Sequence, residues 1–446
     1  MTQELVVVGM GYVGIPCAAL FADCDGFAVT GIQRRSARSG WKIDCLNGGR
    51  SPFEGNEPGL DELIARVVGK GRFRVTDTHE AYETADYILI DVQTPTDAER
   101  TPGYESLREV SHAIGQRMRP GALVVVESTV APGTTENVVQ PILEKASGMR
   151  AGPDFGLAFS YERVMPGRLI EFFVDLPRVV GGIDADSTRR AVELFQHIVR
   201  QPVVGTTCRT AEMAKTIENS YRDLNIAFAN EMALICESMG VDIWEIRDLV
   251  NSRPDRQMLR PGAGVGGHCL PKDPWLLVYG AAAWGAWPPS TTLISGAREI
   301  NDTMPLHMSA LVRHGLHLRG RAVMDARIAV LGLAYLENCD DTRNTPAVPL
   351  ARELENNGAS VIVHDPHVRR YDDAGIELTN DLEQALRGAD CAALVTAHQV
   401  YSEMSPQALV EWMRTPVLVD GRRVTDSAAY AAAGVLRLGV GEPRPT

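Results

Sequence analysis

Short apolar runs alternate with helix-like segments along the first third of the chain. Leu5-Val-Val-Val8 is the kind of run that a parallel strand buried on both faces requires. A glycine-rich turn and the helix-like stretch 15–21 follow it at once. Further runs predict strands at 27–32, 87–91 and 123–127. Strands that alternate with helices in this way predict a doubly wound sheet.

The sequence of the middle of the chain predicts helices. Residues 211–239 have a helix-forming composition and end at Gly240, a residue suited to the C-terminus of a helix. The segment 292–318 is also predicted to be largely helical.

The alternation returns in the last third of the chain. Residues 328–333 are strand-like, residues 347–357 are helix-like, and strand-like runs follow at 360–365, 391–396 and 417–420. We therefore predict an α/β fold in which two Rossmann-like, doubly wound domains are joined by a central helical dimerisation region. The predicted domains are residues 1–205, 206–318 and 319–446.

The composition limits the classes of function. A chain of 446 residues, 45% apolar and 6% aromatic, is globular and too long for one core. A net charge of −13 argues against nucleic-acid binding. No run reaches the roughly 18 apolar residues that a membrane span needs. The eight cysteines are scattered without a CxxC pair, which favours reduced thiols in the cytoplasm and no metal site.

A dinucleotide site is predicted at the N-terminus. Gly9-x-Gly11-x-x-Gly14 follows a predicted strand and opens a helix. Gly9 permits the tight turn, Gly11 lets a pyrophosphate approach, and the helix N-terminus supplies N–H donors. The second strand ends in Gln33, where an acidic residue commonly holds the adenosine ribose, and two arginines follow it. NADP therefore stays open beside NAD, which we favour.

The most informative stretch is the glycine-rich segment 262–273, called here the cysteine loop, in which Cys269 is followed by Lys272 and Asp273. A thiol becomes a useful nucleophile where neighbouring groups favour its thiolate. Beside a hydride acceptor, a cysteine adduct of an aldehyde can be oxidised to a thioester. Lys215 and Asn219 are four residues apart on one predicted helix, so both can point at one substrate atom.

With these motifs, the chain resembles the UDP-glucose/GDP-mannose dehydrogenase family over nearly its whole length. These enzymes oxidise the C6 alcohol of a nucleotide sugar to a carboxylate with two NAD. The Glu-Arg-Val-x-Pro-Gly motif is most similar to that of members acting on UDP-N-acetylhexosamines, notably UDP-N-acetylmannosamine. The motifs that carry the resemblance are Ser128-Thr129-Val-x-Pro-Gly133-Thr, Ser160-x-Glu162-Arg163-Val164-x-Pro-Gly167, Lys215-x-x-x-Asn219, the cysteine loop and Asp341-Thr-Arg343.

The resemblance implies a set of catalytic residues. Cys269 would be the nucleophile, and Lys215 and Asn219 would surround the C6 oxygen. Three further residues would act around the thiol and the thioester: Asp273 as an orienting or deprotonating group, Thr129 by positioning a water, and Glu162 as the general base in hydrolysis.

Binding residues also follow from the resemblance. Arg253 would reach into the substrate site of a neighbouring subunit, so we expect a homodimer or a higher homo-oligomer. The second α/β domain would hold the uridine diphosphate. The expected cofactor contacts are Gly9, Gly11, Tyr12, Val13, Gly14, Gln33, Arg34, Arg38, Thr94, Thr129, Lys272 and Arg343. The expected substrate contacts are Glu162, Arg163, Val164, Lys215, Asn219, Arg222, Arg253 and Gly266.

One departure bears on the substrate. The family usually has Phe-Lys where this chain has Tyr335-Leu336, and that lysine contacts the substrate. Leu336 cannot bind a phosphate or hydroxyl, so either Arg343 or another arginine compensates, or the sugar differs. UDP-N-acetylglucosamine, UDP-glucose and GDP-mannose therefore stay open as substrates. A two-electron β-hydroxyacid dehydrogenase and a non-enzymatic NAD-binding regulator are the alternatives from other classes.

Overall fold

The computed structural model describes residues 2–36, 39–53, 55, 57–287, 289–373 and 375–445. Its contacts divide the chain into two units. One comprises Met1–Glu218 with Lys272–Ser290, and the other comprises Asn219–Pro271 with Thr291–Thr446. The three-part division at residues 205 and 318 stays a prediction.

The elements are numbered in chain order. A 3-10 turn covers Glu80–Glu83 and a π-helical turn covers Thr135–Val139. The strands are β1 (Gln3–Val8), β2 (Phe27–Ile32), β3 (Phe73–Thr76), β4 (Tyr87–Ile90), β5 (Leu123–Val126), β6 (Gly156–Tyr161), β7 (Arg178–Gly182), β8 (Val203–Thr207), β9 (Arg327–Leu331), β10 (Ser360–His364), β11 (Leu378–Thr379), β12 (Cys391–Leu394), β13 (Val417–Asp420) and β14 (Leu436–Gly439). The helices are α1 (Gly14–Asp23), α2 (Trp41–Asn47), α3 (Leu60–Gly69), α4 (Glu105–Gly115), α5 (Gln140–Ser147), α6 (Leu169–Asp175), α7 (Ala185–Gln196), α8 (Cys208–Met239), α9 (Ile243–Asn251), α10 (Asp273–Trp284), α11 (Thr292–Leu318), α12 (Ala347–Asn356), α13 (Leu382–Leu386), α14 (Gln399–Ser402), α15 (Pro406–Trp412) and α16 (Ser427–Ala432).

The sheet of the first unit has the strand order β3-β2-β1-β4-β5-β6-β7-β8. Its strands pair in parallel, except that β6 and β7 are antiparallel. The chain reverses its direction of winding between β1 and β4. In such sheets, ligands bind in the crevice beyond the carboxyl ends of the two strands at this switch point.

The sheet of the second unit repeats the same winding. Its order is β11-β10-β9-β12-β13-β14, and its strand pairs are parallel. The switch point lies between β9 and β12. The prediction of two doubly wound sheets is therefore confirmed.

Successive residues of the central strands supply the cores on opposite faces of each sheet. In β1, Leu5 and Val7 belong to one buried cluster, whereas Val6 and Val8 belong to another. The strand β9 of the second sheet divides its side chains between two clusters in the same alternating way. Burial on both faces explains why these strands are apolar throughout instead of alternating with polar residues.

Two long helices match their predicted positions. The helix predicted at 292–318 is α11, and the helix predicted to end before Gly240 is α8, which begins three residues earlier than predicted, at Cys208. Gly240 has a φ of 70°, and the next residue donates its N–H to the Cys236 carbonyl oxygen at 2.9 Å. This left-handed glycine closes the helix as expected of a C-terminal cap.

A buried pair of carboxyl groups lies at the carboxyl edge of the first sheet. Asp91 and Glu127 directly follow the paired last residues of β4 and β5. Glu127 is bonded to the Arg178 guanidinium and accepts a hydrogen bond from the Cys17 thiol at 3.4 Å. Burial, and then the charge of Glu127, raises the pKa of Asp91 well above its usual value. Burial also raises the pKa of Glu127, so the pair keeps a proton where exposed carboxyl groups would both be ionised.

We predict that Asp91→Asn stabilises the protein increasingly as the pH rises. A carboxyl group whose pKa is raised by folding loses its contribution to stability above its ordinary pKa of 3.8, because the unfolded chain then releases the proton more readily. The amide cannot ionise, so its advantage in unfolding free energy should grow as the pH rises above this value. Melting temperatures between pH 5 and pH 9 measure this trend. The exposed Asp44→Asn is the control, and a pH-independent effect of Asp91→Asn would contradict the assignment.

Candidate active site

The turn between β1 and α1 is so tight that two of its glycines have no room for a side chain. A Cβ on Gly9, whose φ is 105°, would lie 2.3 Å from the Asp91 carbonyl oxygen, and one on Gly14 would lie 2.0 Å from the Gly9 carbonyl oxygen. A Cβ on Gly11 would meet no described atom within 4 Å. Open space beside the N-terminus of a helix fits the pyrophosphate of a dinucleotide.

Gln33, just after β2, binds this glycine-rich turn. Its Oε1 accepts a hydrogen bond from the Met10 N–H at 3.1 Å, and its Nε2 donates to Ser39 Oγ at 3.0 Å. A carboxylate here could also accept from the Met10 N–H, but the bond to Ser39 would then need the serine hydroxyl as its donor. Arg34 is exposed. Arg38 lies outside the described residues.

Other predicted cofactor residues line the same edge of the first sheet. Tyr12 stacks on Phe53, with ring centroids 4.3 Å apart. Val13 packs partly buried against the core beside α1. Thr94 Oγ1 donates to the Thr129 carbonyl oxygen at 2.6 Å, which ties the loop after β4 to the loop after β5.

Lys215 and Glu162 form a buried pair within the first unit. Lys215 projects from α8, and its Nζ donates to the Glu162 carbonyl oxygen at 2.6 Å and lies 3.5 Å from Glu162 Oε1. The two side chains are 5% and 9% exposed. Glu162 Oε2 accepts a hydrogen bond from the Val164 N–H at 2.6 Å. A cation and a proton acceptor are thus held together, and Asn219 follows Lys215 by one turn of α8.

Arg163 holds the turn after β6 against α8. Its guanidinium donates to Glu218 at 2.7 Å and to the Tyr161 hydroxyl at 2.8 Å. Hydrogen bonding to Glu218 raises the pKa of Arg163. The guanidinium therefore fixes the segment that carries Glu162.

Lys272 and Asp273 are brought together at the start of α10. Lys272 Nζ lies 2.8 Å from Asp273 Oδ1, and the side chains are 5% and 0% exposed. Asp273 is in the first turn of the helix, where the backbone dipoles favour a negative charge.

The part of the cysteine loop that belongs to the second unit, residues 262–271, packs against Tyr335. A Cβ on Gly266 would be 2.5 Å from the Tyr335 Cβ, and Gly267, whose φ is 94°, faces the ring of the same tyrosine. The Gly267 N–H donates to the Arg343 carbonyl oxygen at 2.8 Å. The glycines just before Cys269 are therefore required by packing against protein groups, in addition to any ligand.

Cys269 is half-buried and shares its surroundings with Arg343. Although burial opposes it, the hydrogen bonds and charge of Asp341 raise the pKa of Arg343, and Cys269 adds to this rise. A neighbouring guanidinium favours the thiolate form of a cysteine. By contrast, burial raises the pKa of the Cys339 thiol to about 12.

Models of one protein family match most of the chain. The NAD binding domain, the central domain and the UDP binding domain of the UDP-glucose/GDP-mannose dehydrogenase family match residues 3–199, 209–303 and 329–427. The chain belongs to this family. It is an NAD-dependent nucleotide-sugar dehydrogenase, which confirms the predicted class of enzyme.

Relatives in the family cover the chain almost completely. UDP-N-acetyl-D-mannosamine dehydrogenase of Pyrococcus horikoshii is 36% identical over 95% of this chain and 96% of its own length. NDP-N-acetyl-D-galactosaminuronic acid dehydrogenase of Ralstonia nicotianae is 34% identical, over 96% of this chain and 98% of its own.

Solved structures of family members share the fold. The NDP-N-acetyl-D-galactosaminuronic acid dehydrogenase of Methanosarcina mazei has a TM-score of 0.85 and 40% identity, covering 99% of this chain and 96% of its own. The UDP-N-acetylmannosamine dehydrogenase of Pyrococcus horikoshii has a TM-score of 0.90 and 35% identity, covering 98% and 99%.

Arg422 is a candidate residue of this family member that the motifs did not indicate. It follows β13 at the carboxyl edge of the second sheet, where its Nε donates to the Val395 carbonyl oxygen at 2.7 Å and its Nη2 to the Gly264 carbonyl oxygen at 3.1 Å. Burial lowers its pKa, and it forms no ion pair with a carboxylate of the described residues. A partly buried cation beside the cysteine loop is suited to an anionic ligand. The arginines directly after the strand-like run 417–420 were the available signal.

Two predicted substrate residues are exposed. Arg222 is exposed on α8, and Arg253 is exposed after α9, where it pairs with Asp255 at 2.7 Å. Within the described part of the chain, no group of three or more potential ligands could hold a metal ion. No described helix is long and apolar enough to cross a membrane.

We predict that Gly266→Ala destabilises the protein. The new methyl group would lie 2.5 Å from the Tyr335 Cβ, and backbone must move to accept it. Strain of this kind costs about 1–3 kcal/mol. Gly296→Ala on α11 is the control, because beyond the neighbouring backbone of its own helix its Cβ would meet no described atom within 4 Å. Thermal melting of both variants tests the packing, and equal melting temperatures would contradict it.

Proposed function

We propose that the enzyme carries out the four-electron oxidation of a UDP-N-acetylhexosamine to its uronate, with UDP-N-acetylmannosamine as the leading substrate. The buried Lys215–Glu162 pair is the observation that carries the proposal, because it holds a cation and a proton acceptor side by side. The names of the relatives support an N-acetylated sugar. UDP-N-acetylglucosamine, UDP-glucose and GDP-mannose are the alternatives.

Each oxidation removes a proton from oxygen and a hydride from C6. Lys215 and Asn219 stabilise the negative charge that develops on the C6 oxygen. The alcohol becomes an aldehyde, the Cys269 thiolate adds to its carbon, and oxidation of this adduct gives a thioester. Water held by Thr129 and deprotonated by Glu162 then attacks, the C–S bond breaks, and the carboxylate leaves with the thiol restored. Alcohol, water and two NAD⁺ thus give carboxylate, two NADH and three protons.

The remaining predicted residues bind and orient the substrate, the cofactor and the thiol. Asp273 orients groups near the thiol, and Lys272 beside it contacts the cofactor. Arg163 and Val164 shape the substrate turn that carries Glu162. The cationic Arg343 contacts the cofactor, and Arg422 is suited to the diphosphate that Leu336 cannot bind.

NAD is the proposed cofactor, and when bound it supplies the hydride acceptor. The glycine-rich turn and Thr94 would hold it. Gln33 supports NADP as an alternative, because it is uncharged and would not repel a 2′-phosphate as a carboxylate would. The free thiols of the cysteines support a reducing compartment, and we propose the cytoplasm.

We predict that Cys269→Ser abolishes uronate formation while nucleotide-sugar binding persists. A hydroxyl is a far weaker nucleophile than a thiolate, so the thioester cannot form. Release of NADH or NADPH is measured with UDP-N-acetylmannosamine, UDP-N-acetylglucosamine, UDP-N-acetylgalactosamine, UDP-glucose and GDP-mannose. Two reduced cofactors per sugar are expected of the wild type.

The control variant is Cys45→Ser, which alters a half-buried cysteine outside the cysteine loop. Full activity of Cys269→Ser would contradict the thioester mechanism. In the wild type, one reduced cofactor per sugar would favour a two-electron β-hydroxyacid dehydrogenase, and cofactor binding without turnover would favour a non-enzymatic regulator.

We also propose that the enzyme is a homodimer formed through α8. This helix presents exposed apolar side chains at near-helical spacing, among them Tyr221 at 70% exposure and Phe228 at 52%. A continuous apolar stripe of this kind is typical of a protein interface. Arg253 would then contribute to the partner's substrate site. The other members of the stripe are Met213, Ile217, Ile235 and Met239.

We predict that Tyr221→Glu dissociates the dimer. A charge buried in an apolar interface is costly unless it is paired. Light scattering after size-exclusion chromatography should report a monomer for this variant and a dimer for Met324→Glu, which changes an exposed residue outside α8. An unchanged mass for Tyr221→Glu would exclude this interface.

A further inference from the structure

The loop Leu333–Asn338 supports the cysteine loop. It leaves the carboxyl end of β9 at the switch point of the second sheet, and its Tyr335 packs on Gly266 and Gly267. Displacement of this loop would therefore remove the surface on which the segment before Cys269 lies.

A buried aspartate and histidine hold both ends of this loop. Asp365 Oδ2 accepts hydrogen bonds from the Leu333 N–H at 2.7 Å and the Ala334 N–H at 2.8 Å. At the other end, the Asn338 N–H donates to His398 Nδ1 at 2.9 Å. His398 Nε2 lies 3.1 Å from Asp365 Oδ2, and both side chains are 0% exposed. Asn338 has a φ of 55°, a conformation that needs such support.

The hydrogen bonds determine which nitrogen of His398 carries the proton. A backbone N–H can only donate, so Nδ1 must accept from Asn338. Nε2 therefore carries the hydrogen and donates it to Asp365. A second proton on the ring would place an N–H against the Asn338 N–H and break that bond.

Several ionisable side chains lie close to His398. Despite burial, the hydrogen bond and charge of His398 and backbone N–H groups lower the pKa of Asp365 to about 2. Burial lowers the pKa of His364 to about 4, and Tyr401 lies 2.8 Å from its Nδ1. Burial also lowers the pKa of His367, whose ring is 5.1 Å from that of His398.

We propose that His398 is a positioning residue that, in its neutral form and together with Asp365, fixes the loop Leu333–Asn338 under the cysteine loop. Its role in catalysis rests on the proposed function, because it acts through the segment that presents Cys269.

Two substitutions of His398 separate its two bonds. The amide oxygen of His398→Asn can stand near the place of Nδ1 and keep the bond from Asn338. The longer side chain of His398→Gln places its amide near Nε2, which keeps the contact with Asp365 and loses the acceptor for Asn338. His112→Gln, at an exposed position on α4, is the control.

Hydrogen–deuterium exchange with mass spectrometry at one pH measures the protection of the loop's backbone amides directly and needs no substrate. We predict that peptides covering 333–338 and 262–269 exchange at least tenfold faster in His398→Gln than in the wild type or His398→Asn.

Two results would overturn the proposal: wild-type protection in His398→Gln, or a loss of protection in His398→Asn equal to that in His398→Gln. If neither variant folds, Asp365→Asn tests the other end of the loop, because an amide oxygen accepts the Leu333 and Ala334 N–H bonds more weakly than a carboxylate does. Unchanged protection of residues 333–338 in that variant would also overturn the proposal. The Cys269→Ser assay tests the proposed function separately, so either idea can fail while the other stands.

Discussion

A glycine at the carboxyl edge of each sheet lets the segment after one strand pass close to the end of the neighbouring strand. In the first sheet, a Cβ on Gly9 would lie 2.3 Å from the Asp91 carbonyl oxygen, beyond β4. In the second, a Cβ on Gly332 would lie 2.5 Å from the Thr396 Cβ, beyond β12. Both glycines have φ near 100°, a conformation that costs other residues energy. The dinucleotide turn and the loop of Tyr335 both begin at these points.

Two pairs of opposite charges are buried in the first unit. Lys215 with Glu162 and Lys272 with Asp273 each join a cation to a carboxylate inside the first unit. Removing one partner would leave the other charge buried and uncompensated, which is far more costly than losing an exposed ion pair. The proposed catalytic groups are therefore also structural groups, and a loss of activity in a variant needs a check of folding beside it.

The sequence predicted most of the fold because local patterns encode it. The apolar run Leu5–Val8 and the cap Gly240 both depend on neighbours in the chain, and the structure matches them. Antiparallel β7 was not predicted, since strand direction depends on distant pairing. The same holds for the bonds of His398 and Arg422, which join segments far apart in sequence. The cysteine loop could be recognised, but its packing against Tyr335 could not. The roles of the site residues stay predictions.

Helix α8 belongs partly to each unit, because the division of contacts falls between Glu218 and Asn219. A helix is cooperative: each turn is held by hydrogen bonds to the turn before it, and starting a new one is unfavourable. Melting one unit would therefore fray a helix that the other unit still needs. The stabilities of the two units are therefore coupled, because local disorder in the part of α8 in one unit lowers the stability of the part in the other unit.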